Sequence, residues 1–161
     1  MYKAKPILKL FPTIENGVLG YFLMDRTDYF NYIKQQIAKT GYACDDGGNF
    51  NGYVILTKDH PLFNKHYDFI NKILDDKGMY IHGGLTFSAY SSELFDLVDN
   101  NDLSTNNFWV VGFDTRHAND NSKYWTEERT WKETLDLLYA IQCLHKLTED
   151  ELAKYEDETE L

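Results

Sequence analysis

Two stretches of the chain gather side chains able to do chemistry. "MYIHGGLTFS", residues 79–88, sets His82 before the pair Gly83-Gly84, and "VVGFDTRHAND", residues 110–120, sets Asp114, His117 and Asp120 at three-residue steps. Histidine changes charge near neutral pH and is the commonest metal ligand. A carboxylate beside it orients the ring or shares a cation with it. In a helical turn Asp114 and His117 share one face while Asp120 lies farther round, so joining all three needs an irregular chain. With His82 they offer two kinds of chemistry: a metal site with an open position, or a His general base oriented by a carboxylate. D-x-x-H-x-x-D is looser than a zinc signature such as H-E-x-x-H. The spacing therefore names no metal, and a divalent cation stands as one candidate cofactor. The plainer use of the same residues is structural, with Asp114 and Asp120 capping turns, His117 bonded in a loop and His82 satisfied inside a sheet.

Further candidates surround these four. His60, in "TKDHPLF", ends another expected strand, and Pro61 suits the first turn of a following helix, which makes His60 a capping or hinge position. On the functional reading, three strand ends deliver His60, His82 and Asp114 to one edge, where open α/β sheets bind ligands. Gly83 and Gly84 let the backbone turn sharply or let a ligand approach it. Thr86 and Arg116 complete the expected ligand-binding set; Arg116 can hold an anionic group, its plainer role being a surface ion pair. No G-x-S-x-G elbow surrounds Thr86 or Ser88. "DDGGN" lacks the ligand ladder of a calcium loop, and neither glycine-rich phosphate motif is present, which excludes nucleotide binding by such loops.

The elements that must position these residues follow from hydrophobic patterning. "ILKLF" (7–11) and "GVLGYFLM" (17–24) read as strands bounded by Pro12 and "ENG", although the second is also compatible with a helix start. A helix is expected over about 28–40, capped by Thr27 or Asp28 and stopped at Gly41. "YVILTK" reads as a strand, and His66, Phe69, Ile70, Ile73 and Leu74 make one face of a second helix ended by "DDKG". "MYIHGGLTF" and "NFWVVGF" are apolar at nearly every position, as central strands covered on both faces are. "SSELFDLVDNNDLSTN" between them reads as a short helical turn and a polar connection. A long helix starts at Thr126, with Trp131, Leu135, Leu138, Ile141 and Leu144 or His145 as its expected inner face. Thr148 and Glu151 form a capping-box pattern. The expectation is one domain over 1–148, followed by an acidic tail or short helix over 149–161. Its class is α+β or α/β, with a mixed central sheet and helices packed on it.

Composition narrows the functions. The 161 residues, 43% of them hydrophobic, suffice for one core without disulfides. A formal charge of −10 argues against a groove that grips nucleic-acid phosphates. Residues 149–161 hold seven acids against Lys154 alone, a net −6 of that total, as a solvated acidic end does. Cys44 and Cys143 form no CxxC pair, which fits a reduced, cytoplasmic setting. The opening "MYKAKPILKLFP" has only a short apolar run, so neither a cleaved signal nor a membrane span is expected.

The blocks "GYVILTKDHPLFNKHYD", "HGGLTFS" and "WVVGFDTRHAND" resemble a small family met largely as hypothetical proteins of bacteriophages, prophages and bacteria. Its pattern runs G-Y-V, H-P-L, H-G-G-L-T-F and G-F-D-x-x-H-A-x-D, and covers roughly residues 52–142. The resemblance implies that His60, His82, Gly83, Gly84, Asp114, His117 and Asp120 form one site. It implies no reaction, because the family has no established activity. A phage origin suggests host manipulation or evasion of antiviral defence, within the host cytoplasm. Two functions then compete. In the first, the His/Asp site binds or hydrolyses a small, nucleotide-like molecule. In the second, an acidic, aromatic-rich protein docks on a host defence protein as an inhibitor, for which a continuous acidic surface would be the mark. A virion or accessory structural protein is the third reading. The oligomeric state is not encoded legibly.

Overall fold

The first hairpin is set by two residues. Asn16 and Gly17 both adopt positive φ, 52° and 73°, the geometry of the tight turn that matches the twist of antiparallel strands. They join β1 (Lys5–Glu15) to β2 (Val18–Asp25), so Pro12 lies inside a strand rather than ending one. It is tolerated because β1 is an edge strand whose register shifts between Leu10 and Glu15. The computed structural model describes residues 5–41, 47–95 and 102–159; Cys44 and the first three residues of the expected 44–52 loop, 44–46, lie outside them, and its last three, 50–52, belong to a strand.

Strands β3 (Phe50–Leu56), β4 (Phe87–Tyr90) and β5 (Trp109–Phe113) complete a five-stranded sheet in the order β1-β2-β3-β5-β4. Every pairing is antiparallel. The protein is a single α+β domain, and the sheet is antiparallel throughout where a mixed one was expected. Alternation along β3 and β5 sorts the core onto two faces. Val54, Leu56, Val111 and Phe113 pack with Ile70, Ile73, Leu137 and Ile141 from α2 (Tyr67–Asp76) and α3 (Glu127–Cys143). Phe22, Tyr53, Ile55 and Val110 form the other face, where Phe95 and Leu103 from the connection between β4 and β5 cover them. This double cover explains the nearly continuous apolar runs of β3 and β5.

Local chemistry sets the helix ends. α1 (Thr27–Ala38) is capped by neither Thr27 nor Asp28. Asp25 Oδ1 instead accepts from the Thr27 N–H at 3.0 Å and the Thr27 hydroxyl at 2.7 Å. His66 caps α2 through Nδ1, which accepts the Asp68 N–H. Thr126 caps α3 as expected, its hydroxyl accepting the Arg129 N–H. The inner face of α3 differs from the expected stripe. Thr130 and Thr134 are buried, while Leu135 is exposed. Each threonine hydroxyl donates to the carbonyl four residues back, at 2.8 and 2.7 Å. Their polar groups are thus satisfied within the helix, and the residues can face the sheet. α4 (Glu149–Thr159) starts at the Thr148–Glu151 capping box. It lies beside α2, with Tyr155 donating to Asp76 and Lys65 paired with Glu156 at 2.8 Å.

His60 caps no helix, because residues 61–64 only turn and α2 starts at Tyr67. Its buried ring bridges two segments. Nδ1 accepts the Leu62 N–H at 3.0 Å, so Nε2 carries the proton and donates to the Ile141 carbonyl at 2.8 Å. Burial first, and then repulsion from His145, push its pKa down to about 4 against the opposing pull of the Ile141 bond and Asp59. From pH 6.5 down to about 4 the unfolded chain binds a proton that the folded chain refuses. The stability contributed by the neutral ring is therefore complete above that window and lost through it as pH falls, by roughly 3 kcal/mol in all. We predict that His60→Gln, which cannot titrate, flattens this part of the stability profile. Urea unfolding at pH 7 and pH 4.5 checks it, and equal pH slopes in the two proteins would contradict it.

Candidate functional site

Antiparallel pairing decides which candidates meet. Phe87 at the start of β4 pairs with Gly112 near the end of β5. The segment leading into β4 and the segment leaving β5 therefore hang from the same end of the sheet. His82 comes from the first and Asp114, His117 and Asp120 from the second. "MYIHGG" is not a strand: Gly83 and Gly84 hold φ at 67° and 75°, and the Gly84 N–H closes a turn on the Ile81 carbonyl at 2.8 Å. The sequence from His117 to Asp120 is also a turn rather than a helix. The Asp120 N–H donates to the His117 carbonyl, with Asn119 at φ 72°. Asn accepts this left-handed conformation more readily than most residues. The irregular chain needed to bring Asp120 beside His117 is supplied here.

Asp120 is the centre of the arrangement. Its side chain, 7% exposed, takes the His82 Nε2–H at 2.9 and 3.0 Å on its two oxygens, the His117 backbone N–H at 2.8 Å and the Trp125 indole N–H at 3.2 Å. Burial, the largest influence, pushes the Asp120 pKa up; the bonds from His82, His117 and Trp125 and the attraction of His82 outweigh it, and the carboxyl titrates below its ordinary value. An ionised carboxylate only accepts, so His82 Nε2 carries a proton towards it. The ring lies against Trp125, with centroids 4.4 Å apart. Its backbone N–H donates to Glu133 Oε1 on α3 at 2.7 Å.

His117 stands beside this pair, its ring centroid 5.4 Å from that of His82. A Cβ on Gly83 would fall 2.2 Å from His117 Nε2, so only glycine leaves room for the ring there. Asp114 Oδ1 is 3.1 Å from His117 Nε2, yet that nitrogen is shielded from solvent and makes no hydrogen bond. One ligand atom each from His82, His117 and Asp120 lies within 4.8 Å of the others.

An open cleft of about 530 Å³ runs beside the cluster. Tyr80, Tyr124 and Trp125 supply aromatic walls, and Asn119 and Asn121 supply amides. Its charged groups are the acids Asp120, Glu133 and Asp136 beside His82, and among the described residues no Lys or Arg lines it.

The remaining expected site residues go elsewhere. β3 and β5 are antiparallel, with Leu56 opposite Trp109 and Gly52 opposite Phe113. The end of β3 that leads to His60 is thus at the opposite end of the sheet from Asp114. The His60 partner, Ile141, sits eight residues beyond Glu133 on α3, about 12 Å along the axis. The expectation that three strand ends share one edge fails because it presumed parallel strands. Arg116 turns away from the cleft, with Nη1 donating to the Gly48 carbonyl at 2.9 Å and its guanidinium over the Phe30 ring. The Thr86 backbone continues the sheet by donating to the Gly112 carbonyl. Ser88 Oγ accepts the Tyr67 N–H. Gly83 acts by making room for His117, and Gly84 by its turn.

Sequence reasoning missed Glu133 and Tyr80, and read Trp125, with Trp109 and Trp131, first as a core or rim aromatic and only second as a ligand-stacking wall. Glu133 had a signal: it lies three residues after Thr130 and four before Leu137, so it shares the buried face of α3, where an acid needs a partner.

Comparison with family models, curated proteins and solved structures finds no match for this chain. The site is defined by its geometry: a buried carboxylate that binds two histidine-bearing loops together at the rim of an acidic, aromatic cleft.

Asp120→Asn replaces one acceptor oxygen by a donor against three incoming N–H groups. We expect a loss of about 2–3 kcal/mol, the scale of charge-assisted hydrogen bonds and a stranded buried donor, read as a lower urea midpoint at pH 7. The difference from wild type shrinks as pH falls below the ordinary carboxylate range, because a depressed carboxyl stabilises only while ionised. A neutral substitution would show that the loops hold together without the carboxylate.

Proposed function

We propose that the cleft binds a small polar molecule carrying a ring and hydrolyses it at the His82–His117–Asp120 cluster. The carrying observation is the Asp120 hub. Two loops 38 residues apart bring an imidazole onto a buried carboxylate, and do so at the wall of a cleft. A carboxylate that holds a histidine by one nitrogen leaves the other to handle protons, the arrangement of an oriented acid-base group. Tyr80, Tyr124 and Trp125 suit the faces of a planar or pyranose ring, and the two asparagines suit its polar edge. A nucleoside- or sugar-like ligand fits this chemistry.

The reaction supported is water attack. A water held against the cluster gives up a proton to it while the water oxygen bonds to the electrophilic atom of the substrate. The bond to the leaving group then breaks, and the leaving group departs with that proton. In the setting that the resemblance to phage proteins suggests, the role is a phage-type accessory protein acting on a small molecule of the host, including one used in antiviral defence.

His82→Ala and His117→Ala test the reading with a panel of nucleotides, dinucleotides and glycosides followed by chromatography. We expect the wild type to cleave at least one, and each variant to lose activity by roughly 10²-fold or more, the scale of a positioned acid-base group. Far-UV circular dichroism and melting curves establish that the variants fold. Substrate turnover unaffected by both substitutions would end the proposal.

A further inference from the structure

We infer that His82, His117 and Asp120 are the ligands of a first-row divalent transition metal. This deepens the hydrolytic reading of the same site and rests on it. Three observations converge. The first is distance. Adjacent ligands at about 2.1 Å from one cation lie roughly 3.0–3.4 Å apart, and His82 Nε2 stands 2.9 and 3.0 Å from the two Asp120 oxygens, at the short end of that range. All three residues offer a ligand atom within one 4.8 Å set.

The second is His117 Nε2. It is shielded from solvent and hydrogen-bonds to nothing, although Asp114 Oδ1 stands 3.1 Å away. A carboxylate that close is normally met by an N–H pointing at it. A buried polar atom left unmet costs stability, and a metal bond meets it.

The third is charge. Asp120, Glu133 and Asp136 line the cleft with His82, Asp114 stands beside His117, and among the described residues no Lys or Arg lines the cleft. A phosphorylated ligand is repelled from such a cleft unless a cation is present to receive it.

The donor set selects the metal class. Two imidazoles and one carboxylate suit Zn²⁺, Mn²⁺ or Fe²⁺, whereas Mg²⁺ and Ca²⁺ favour all-oxygen sets. Three protein ligands leave positions open for water and substrate, the pattern of catalytic rather than structural sites. With a cation bound, His82 would offer it the Nε2 lone pair and carry its ring proton on Nδ1, and Asp120 would offer a carboxylate oxygen. Glu133, which holds the His82 backbone from α3, keeps the ring in place as a positioning residue.

The test is Zn²⁺ titration of the full, tag-free chain after chelator treatment, by calorimetry and elemental analysis, with Co²⁺ substitution read by its visible absorption. We expect one Zn²⁺ per chain, a raised melting temperature, and affinity lowered at least 100-fold in both His82→Ala and His117→Ala. His117→Ala removes a nitrogen that makes no hydrogen bond, so it folds and keeps the comparison clean. Excess Mg²⁺ should not displace the Zn²⁺. Absence of stoichiometric Zn²⁺, or equal affinity in wild type and His117→Ala, overturns the metal site. Turnover that persists in chelator overturns it too while leaving the hydrolytic reading intact. Stoichiometric Zn²⁺ with no substrate turned over upholds the metal site and sinks the hydrolytic reading.

Discussion

The close approach of α3 to the sheet sets the position of everything else. Gly52 on β3 has no side chain, and a Cβ there would stand 2.1 Å from Thr134 Oγ1 and 2.5 Å from the Phe113 ring. The absence of one carbon lets the helix settle against β3 while Phe113 stays buried beside it. Thr134 fills the contact, and Glu133, its neighbour, reaches the backbone of His82. A larger residue at 52 would lift the helix, and the His82 loop would lose its anchor. Gly112 plays the matching part on β5, where a Cβ would collide with the Tyr53 ring. Packing of this density transmits displacement rather than absorbing it, so the geometry of the polar cluster is tied to the fit of an apolar core.

How much of this was legible in the chain depends on the range of the interaction that fixes each part. The two-sided apolar run of β5, the Thr126 cap and the Thr148–Glu151 box are local and could be read directly, whereas "MYIHGGLTF", read as a second central strand, yields only the short edge strand β4 after a turn. Strand direction is not local. The sequence "VILTKDH" looks the same whether its strand runs parallel or antiparallel to "WVVGF", and that choice alone sends His60 to one end of the sheet and Asp114 to the other. The grouping of His82, Asp114, His117 and Asp120 was readable as a cluster of reactive types, while its hub was not. Nothing in the spacing distinguishes Asp120 from Asp114, yet Asp120 gathers three donors and Asp114 stands at the margin. The α3 stripe holds at Leu138, Ile141 and Leu144 but was misplaced in its first turns, because Thr130 and Thr134 look polar by type and their hydroxyls are spent inside the helix.

Charge is distributed by role. In α4, Glu149, Asp150 and Glu151 lie in the first turn and Glu156 pairs with Lys65, while Leu152 and Tyr155 join the α2–α3 core. The carboxylates around the two histidines form a second, separate concentration. Among the described residues no helix is long and apolar enough to cross a membrane.

The margins of the sheet carry a consequence of their own. β1 is a long outer strand of eleven residues, but Pro6 and Pro12 have no N–H to offer a neighbour, and Lys5 and Lys9 add charge along it. At the other margin β4 has four residues before the chain tightens into a single helical turn at Ser91–Glu93. Neither margin presents an unbroken ladder to which another chain could add a strand. A protein with so many aromatic and β-branched residues is thereby guarded against growing sheet upon sheet into aggregates, and the guard is built into the outermost strands rather than into the loops that carry the chemistry.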